Sequence, residues 1–118
     1  MREFPERINT QLAKAAKRAG LTDVQIEWPT KGAEGERHIL WYDVSGIDKN
    51  KLRWCLEIQP GGKKSWIQKH IQEGFLDKVE WAILHGCAFL EIPAFGHNEQ
   101  TMTILIKEAM MKRRQNEN

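Results

Sequence analysis

The spacing of apolar and polar positions changes period several times along the chain, and each change marks an element. Between Pro5 and Ala19, the residues Ile8, Leu12, Ala15, Ala16 and Ala19 recur at helical spacing among Arg, Lys and Gln, and Gly20 stands where a helix would end. That spacing predicts an amphipathic first helix. "DVQIEW", Asp23 to Trp28, then alternates and stops at Pro29, which predicts a short strand followed by a loop through Gly32 and Gly35. "RHILWYDVSG", Arg37 to Gly46, is rich in β-formers and places Ile39, Trp41 and Asp43 on one face and Leu40, Tyr42 and Val44 on the other. "KLRWCLEIQ", Lys51 to Gln59, alternates more cleanly, with Leu52, Trp54, Leu56 and Ile58 opposed to Arg53, Cys55, Glu57 and Gln59. The connector "IDKN" is short and mostly polar, so these two strands predict an antiparallel hairpin.

From Ser65 to about His85 the residues Ile67, Ile71, Phe75, Val79, Ala82 and Ile83 form a helical stripe, with Gly74 a kink or break within it. "CAFLEIP", Cys87 to Pro93, predicts a fourth strand, and Glu99 to Arg114 a last helix that frays into the polar end of the chain. The order is α-β-β-β-α-β-α. With no repeat, low-complexity tract or dividing linker, residues 1–118 read as a single domain. The fold class is α+β (α/β), one mixed four-stranded sheet flanked by helices.

Composition narrows the function classes. A chain of 118 residues can bury one core of two packed layers, and five tryptophans with 41% hydrophobic residues argue against disorder. With 18 basic and 16 acidic residues the net charge is +2, so nucleic-acid binding needs a local patch rather than an overall field. Cys55 and Cys87 lie in separate apolar stretches without a CxxC, which reads as reduced core residues, although adjacent strands could bring them together. No leader pattern is legible, and no apolar run approaches the roughly 18 residues of a membrane span. The expectation is a soluble cytoplasmic protein with no membrane partner.

Period-two geometry puts the Glu57 carboxylate and the Gln59 amide on one face, with Asp43 on the neighbouring strand of the hairpin. Hard divalent cations take oxygen ligands, and two carboxylates with a backbone carbonyl leave positions for phosphate and water. After the strand come Gly61-Gly62, then Lys63, Lys64, Trp66 and Lys69 around a helix start, where free N–H groups favour an anion. Ser65 and Gln68 also form a capping box, which accounts for both by helix-end hydrogen bonding alone. The four histidines show no zinc-ligand spacing, and no P-loop or nucleotide fingerprint is present.

The run Glu57-x-Gln59-P-G-G-K-K-S-x-x-Gln68, with Asp43 on the preceding strand, resembles the PD-(D/E)xK nucleases, most closely their virus-type replication-repair (VRR-NUC) module. The likeness covers Arg37 to about Ile71 in detail. It implies a restriction-endonuclease-like fold and Mg²⁺- or Mn²⁺-dependent DNA cleavage, of the kind encoded by phages or other mobile elements. It also implies Asp43, Glu57 and the Ile58 carbonyl as metal ligands, with Asp43, Glu57 and Gln59 as the catalytic set. Lys63, Lys64, Trp66, Gln68 and Lys69 would then face nucleic acid, with Glu3 or Glu6 a further acid from the first helix. Two positions depart from the family pattern: Tyr42 stands where a proline precedes the Asp, and Gln59 replaces the lysine. The second change removes the ammonium that would stabilise developing charge.

Two non-catalytic readings stand beside this one. The opening α-β-β-β-α order with "GGKKS" also resembles a double-stranded-RNA-binding domain. A protein-binding inhibitor or immunity protein with an acidic sheet face suits the near-neutral charge. The partners are therefore DNA first, then a protein partner or a second copy in a homodimer.

Overall fold

The computed structural model describes residues 8–29, 41–59, 76–93 and 98–117. Seven elements follow one another: α1 (Ile8–Arg18), β1 (Thr22–Pro29), β2 (Trp41–Ile47), β3 (Arg53–Ile58), α2 (Leu76–Leu84), β4 (Ala88–Ile92) and α3 (Glu99–Glu117). The predicted order α-β-β-β-α-β-α holds. The strands form one mixed sheet in the order β1-β2-β3-β4, antiparallel across the first two pairs and parallel between β3 and β4. The parallel pair requires a crossover of a dozen or more residues, and the segment containing α2 supplies it.

One face of the sheet is apolar. Val44, Trp54, Leu56, Ala88 and Ile92 pack there against Leu12, Ala15 and Ala16 of α1 and Met102 and Ile106 of α3. The small alanines let α1 lie close to the sheet, and burying the leucines and isoleucines contributes about 25 cal/mol per Å² of apolar surface. The other face carries Ser45, Arg53, Cys55 and Glu57, together with an aromatic cluster in which Tyr42 packs against Trp28, Trp81 and Phe89. The predicted alternation of β2 therefore breaks. Tyr42 and Val44 do not share a face, because the period-two rule fails at Asp43 between them.

Sequence punctuation sets the helix ends. Gly20, at φ +108°, and Gly86, at φ +68°, close α1 and α2 in the same way: Leu21 N–H donates to Ala16 O and Gly20 N–H to Lys17 O, while Cys87 N–H donates to Ala82 O and Gly86 N–H to Ile83 O. These are Schellman ends, which need the left-handed conformation glycine adopts without strain. Asn98 caps α3 through its side chain to Thr101 N–H at 2.9 Å. α3 runs through Glu117, three residues past the predicted end at Arg114, and Ile83 is 69% exposed rather than part of the buried stripe of α2. Trp41, the first residue of β2, is also exposed. Strand β1 is less regular than its alternation suggested, with a register shift between Thr22 and Gln25 and left-handed residues at Asp23 and Glu27. Cys55 and Cys87 are free thiols, and burial pushes both above the ordinary thiol range.

The β2–β3 connector is organised by Asp48. Its Oδ1 accepts from Asn50 N–H at 2.8 Å and Leu52 N–H at 3.0 Å, and its Oδ2 accepts from the Trp54 indole at 2.9 Å. The carboxylate thus fixes the turn and orients the buried Trp54 at once. Asp48→Ala leaves those donors without their acceptor and is expected to lower the unfolding free energy by about 2–3 kcal/mol. The measurement is urea unfolding with the slope unchanged. Asp48→Asn, which keeps one acceptor oxygen, should fall between, and an unshifted midpoint in the alanine variant would remove Asp48 as the organiser of the turn.

Candidate functional site

Pairing between β2 and β3 runs in register from Ile47↔Arg53 to Val44↔Leu56. One step further the register would set Asp43 opposite Glu57. There side chains take over from the backbone ladder: Asp43 N–H donates to Glu57 Oε2 at 3.1 Å, and Ile58 N–H donates to Asp43 Oδ2 at 2.8 Å. The two acids thus clasp the strands where the ladder ends, and the break in the alternation of β2 falls at the same residue. The contacts that join the two acids to the strands run through backbone donors, Asp43 N–H on the Glu57 carboxylate and Ile58 N–H on the Asp43 carboxylate.

A third group completes the site. Lys78 Nζ lies 2.6 Å from Glu57 Oε1, with the side chains 15% and 5% exposed respectively. Lys78 projects from α2, whose backbone is tied to the sheet by the Tyr42 hydroxyl donating to the Lys78 carbonyl. Tyr42, fully buried, therefore positions the helix turn that delivers the ammonium. Burial raises the Tyr42 hydroxyl pKa above its ordinary value, with Cys55, Cys87 and Glu57 adding to the rise, so it remains a donor.

Glu57 is held above the ordinary carboxylate range, first by burial and then by the charge of Asp43, while Lys78 and the Asp43 N–H pull it down. On the neighbouring parallel strand Glu91 sits in register with Glu57. Three adjacent strands thus carry an acid each, yet no group of three or more His, Cys, Asp or Glu side chains converges to hold a metal among the described residues.

Gln59 behaves differently from the expectation. It lies just past β3, half-buried, with its N–H donating to Ile92 O at 2.7 Å, and among the described residues no hydrogen bond joins its amide to either carboxylate. The ammonium beside Glu57 is that of Lys78, on α2. The sequence held a weak signal for this: Lys78 is one turn before Trp81 and Ala82, at the edge of the apolar stripe, whereas a charged residue is ordinarily assigned to the solvent face. Ile58 uses its N–H on Asp43. Lys63, Lys64, Trp66, Gln68 and Lys69, with Glu3 and Glu6, lie outside the described residues, as does the predicted helix start at Ser65.

Compared with protein-family models, with curated proteins and with solved structures, the chain has no significant match in any of the three. Among the described residues no helix is long and apolar enough to cross a membrane.

The pH dependence of stability follows from Glu57. A carboxyl whose pKa is higher folded than unfolded stabilises most below the ordinary glutamate range, and that contribution is lost as pH rises towards the folded value. Lys78 opposes the rise, so Lys78→Met should extend the loss to higher pH and cost about 3–5 kcal/mol at neutral pH, the usual penalty for breaking a buried pair. Urea unfolding from acid to neutral pH checks this against a Glu57→Gln/Lys78→Met double variant, which should recover most of the loss and lack the Glu57 component. Lys78→Met with the same pH profile as the parent would show that the pair is not coupled in solution.

Proposed function

We propose that the chain is a metal-dependent nuclease acting on DNA phosphodiesters, with Asp43, Glu57 and Lys78 as its working groups. One observation carries the reading: where the β2–β3 ladder ends, the buried Glu57 carboxylate accepts the Asp43 N–H, feels the charge of Asp43, and has a lysine ammonium 2.6 Å away. The resemblance of Glu57 to Gln68 to the PD-(D/E)xK pattern supports it, and Lys78 answers the departure at Gln59.

The donor chemistry suits Mg²⁺ or Mn²⁺. A carboxylate oxygen can accept more than one donor, so the N–H groups on Asp43 and Glu57 do not by themselves exclude an ion. Mg²⁺ ordinarily binds through one or two carboxylates and fills its shell with water and substrate phosphate oxygens, so a cluster of three protein acids is not required. Asp43 and Glu57 would hold the ion, which when bound supplies Lewis acidity to the phosphodiester. Lys78 offsets the negative charge of Glu57 and places a cation beside the reacting phosphate, where charge accumulates. Asp43 fixes β3 through Ile58 N–H, which keeps both acids in place.

A second reading, a nucleic-acid-binding or protein-binding module without catalysis, draws on the same ion pair. Lys78 already gives Glu57 a counter-charge, which is all that a purely structural role needs.

Incubation with supercoiled, linear and branched DNA, with Mg²⁺ or Mn²⁺ and with chelator, separates the two. The nuclease reading expects metal-dependent cutting that falls at least about 100-fold in Asp43→Asn, which retains an acceptor for Ile58 N–H, and in Lys78→Gln. Circular dichroism confirms that each variant is folded. DNA retained in a gel shift but uncut under every condition would favour the binding module. Neither cutting nor retention would remove DNA as the partner.

A further inference from the structure

At the opposite end of the β2–β3 hairpin, five residues along β2 from Asp43 and hence about 16 Å away at strand rise, lies a cavity of about 320 Å³. It opens between the C-terminal end of α1, the β2–β3 turn and the last turns of α3. Its volume is at the lower end of small-molecule sites, which run from about 300 to 1,000 Å³. Gly20 forms part of the wall, and a Cβ built there would meet nothing within 4 Å, so the wall is open at that point.

The charges are unbalanced. Lys49 from the turn and Arg113 and Arg114 from α3 line the cavity, against the single carboxylate of Asp48. That carboxylate accepts from the N–H groups of Asn50 and Leu52 and from the Trp54 indole, which ties it into the turn, and the three cationic side chains outnumber it. What faces the space is a net cationic rim. Guanidinium forks bind phosphate oxygens with two parallel hydrogen bonds, a geometry that a lone ammonium cannot match. Below the rim, Leu52 and Met110 are half-buried and contribute apolar surface. A cationic mouth over an apolar wall selects a ligand with an anionic head and a flat or apolar body.

We infer that this cavity binds a small phosphate-bearing ligand of about mononucleotide size, its phosphate held by Lys49, Arg113 and Arg114 and its body against Leu52 and Met110. The site is separate from Asp43, Glu57 and Lys78, and does not depend on their activity. Trp54 is the built-in reporter, since its indole N–H is tied to Asp48 at the floor of the turn.

The test is ¹H–¹⁵N NMR of the full chain, following the Trp54 indole and the Asn50 and Leu52 amides, with adenosine monophosphate, adenosine and a short single-stranded DNA oligonucleotide as probes. Saturable shifts with the monophosphate and none with adenosine are expected. Lys49→Ala/Arg114→Ala, both at exposed positions, should weaken binding at least about tenfold, or about 1.4 kcal/mol, with the unfolding midpoint unchanged. Equal shifts from adenosine, no saturation with the monophosphate, or equal affinity in the double variant would each overturn the assignment. So would shifts from the oligonucleotide alone, which would make the cavity part of a strand-binding surface.

Discussion

The structure depends most on the burial of one carboxylate. Glu57 is 3% exposed on the central strand β3, and a charge in that position is sustainable only with partners. Its partners come from two directions: the Asp43 N–H from the neighbouring strand and the Lys78 ammonium from the covering helix. Each imposes a constraint of its own. To offer its N–H to a side chain, Asp43 leaves the backbone ladder, and its own carboxylate then takes up the Ile58 N–H. To deliver its ammonium, Lys78 must be turned inward, and the Tyr42 hydroxyl on its carbonyl fastens that turn of α2 to the sheet.

The consequence is a sheet with two unlike faces. The face against α1 and α3 is an ordinary apolar core, in which leucine, isoleucine, methionine and small alanines fill the space. The face beneath α2 holds Glu57, Tyr42, Trp28 and Trp81; Glu57 and the Tyr42 hydroxyl have hydrogen-bond partners there, whereas the Trp81 indole N–H is buried with none among the described residues. Replacing such a network with hydrocarbon is often neutral or stabilising in proteins.

Much of this architecture was legible in the chain. The strands declared themselves because β-branched and aromatic residues alternate, and the helix ends because Gly20 must adopt positive φ. Asp43 and Glu57 could be placed on neighbouring strands of a hairpin, but period alone does not fix the register that sets them opposite one another. What could not be read was any event that departs from period. The break at Asp43 is a backbone change that leaves no mark in residue type, so Tyr42 was assigned to the face of Val44. Lys78 was invisible for the complementary reason: a lysine is inward only when an acid calls for it, and that acid lies 21 residues away in sequence. Gln59 directly follows β3 and carries the expectation of a face in common with Glu57, yet among the described residues its amide joins neither carboxylate. Asp48 was passed over within a mostly polar connector, because the three donors it gathers are defined by the turn that it makes.

An ammonium carried on a helix is not equivalent to one carried on the strand beside the acids. On the strand it would be fixed by the same ladder that fixes Glu57, and its place would be as rigid as the sheet. On α2 its position depends on how the helix docks, through the Tyr42 hydroxyl, the contacts of Trp81 with Tyr42 and Trp28, and the ion pair itself. Removing the ammonium therefore withdraws charge from the site and also loosens the helix over it, because a single side chain serves both ends. By the same coupling, whatever approaches Glu57 must compete with Lys78 for the carboxylate, and the occupancy of the site and the docking of α2 become linked equilibria. A loss of activity on changing Lys78 would thus combine two effects. Tyr42→Phe, which removes the hydroxyl and leaves the ammonium, separates helix docking from charge.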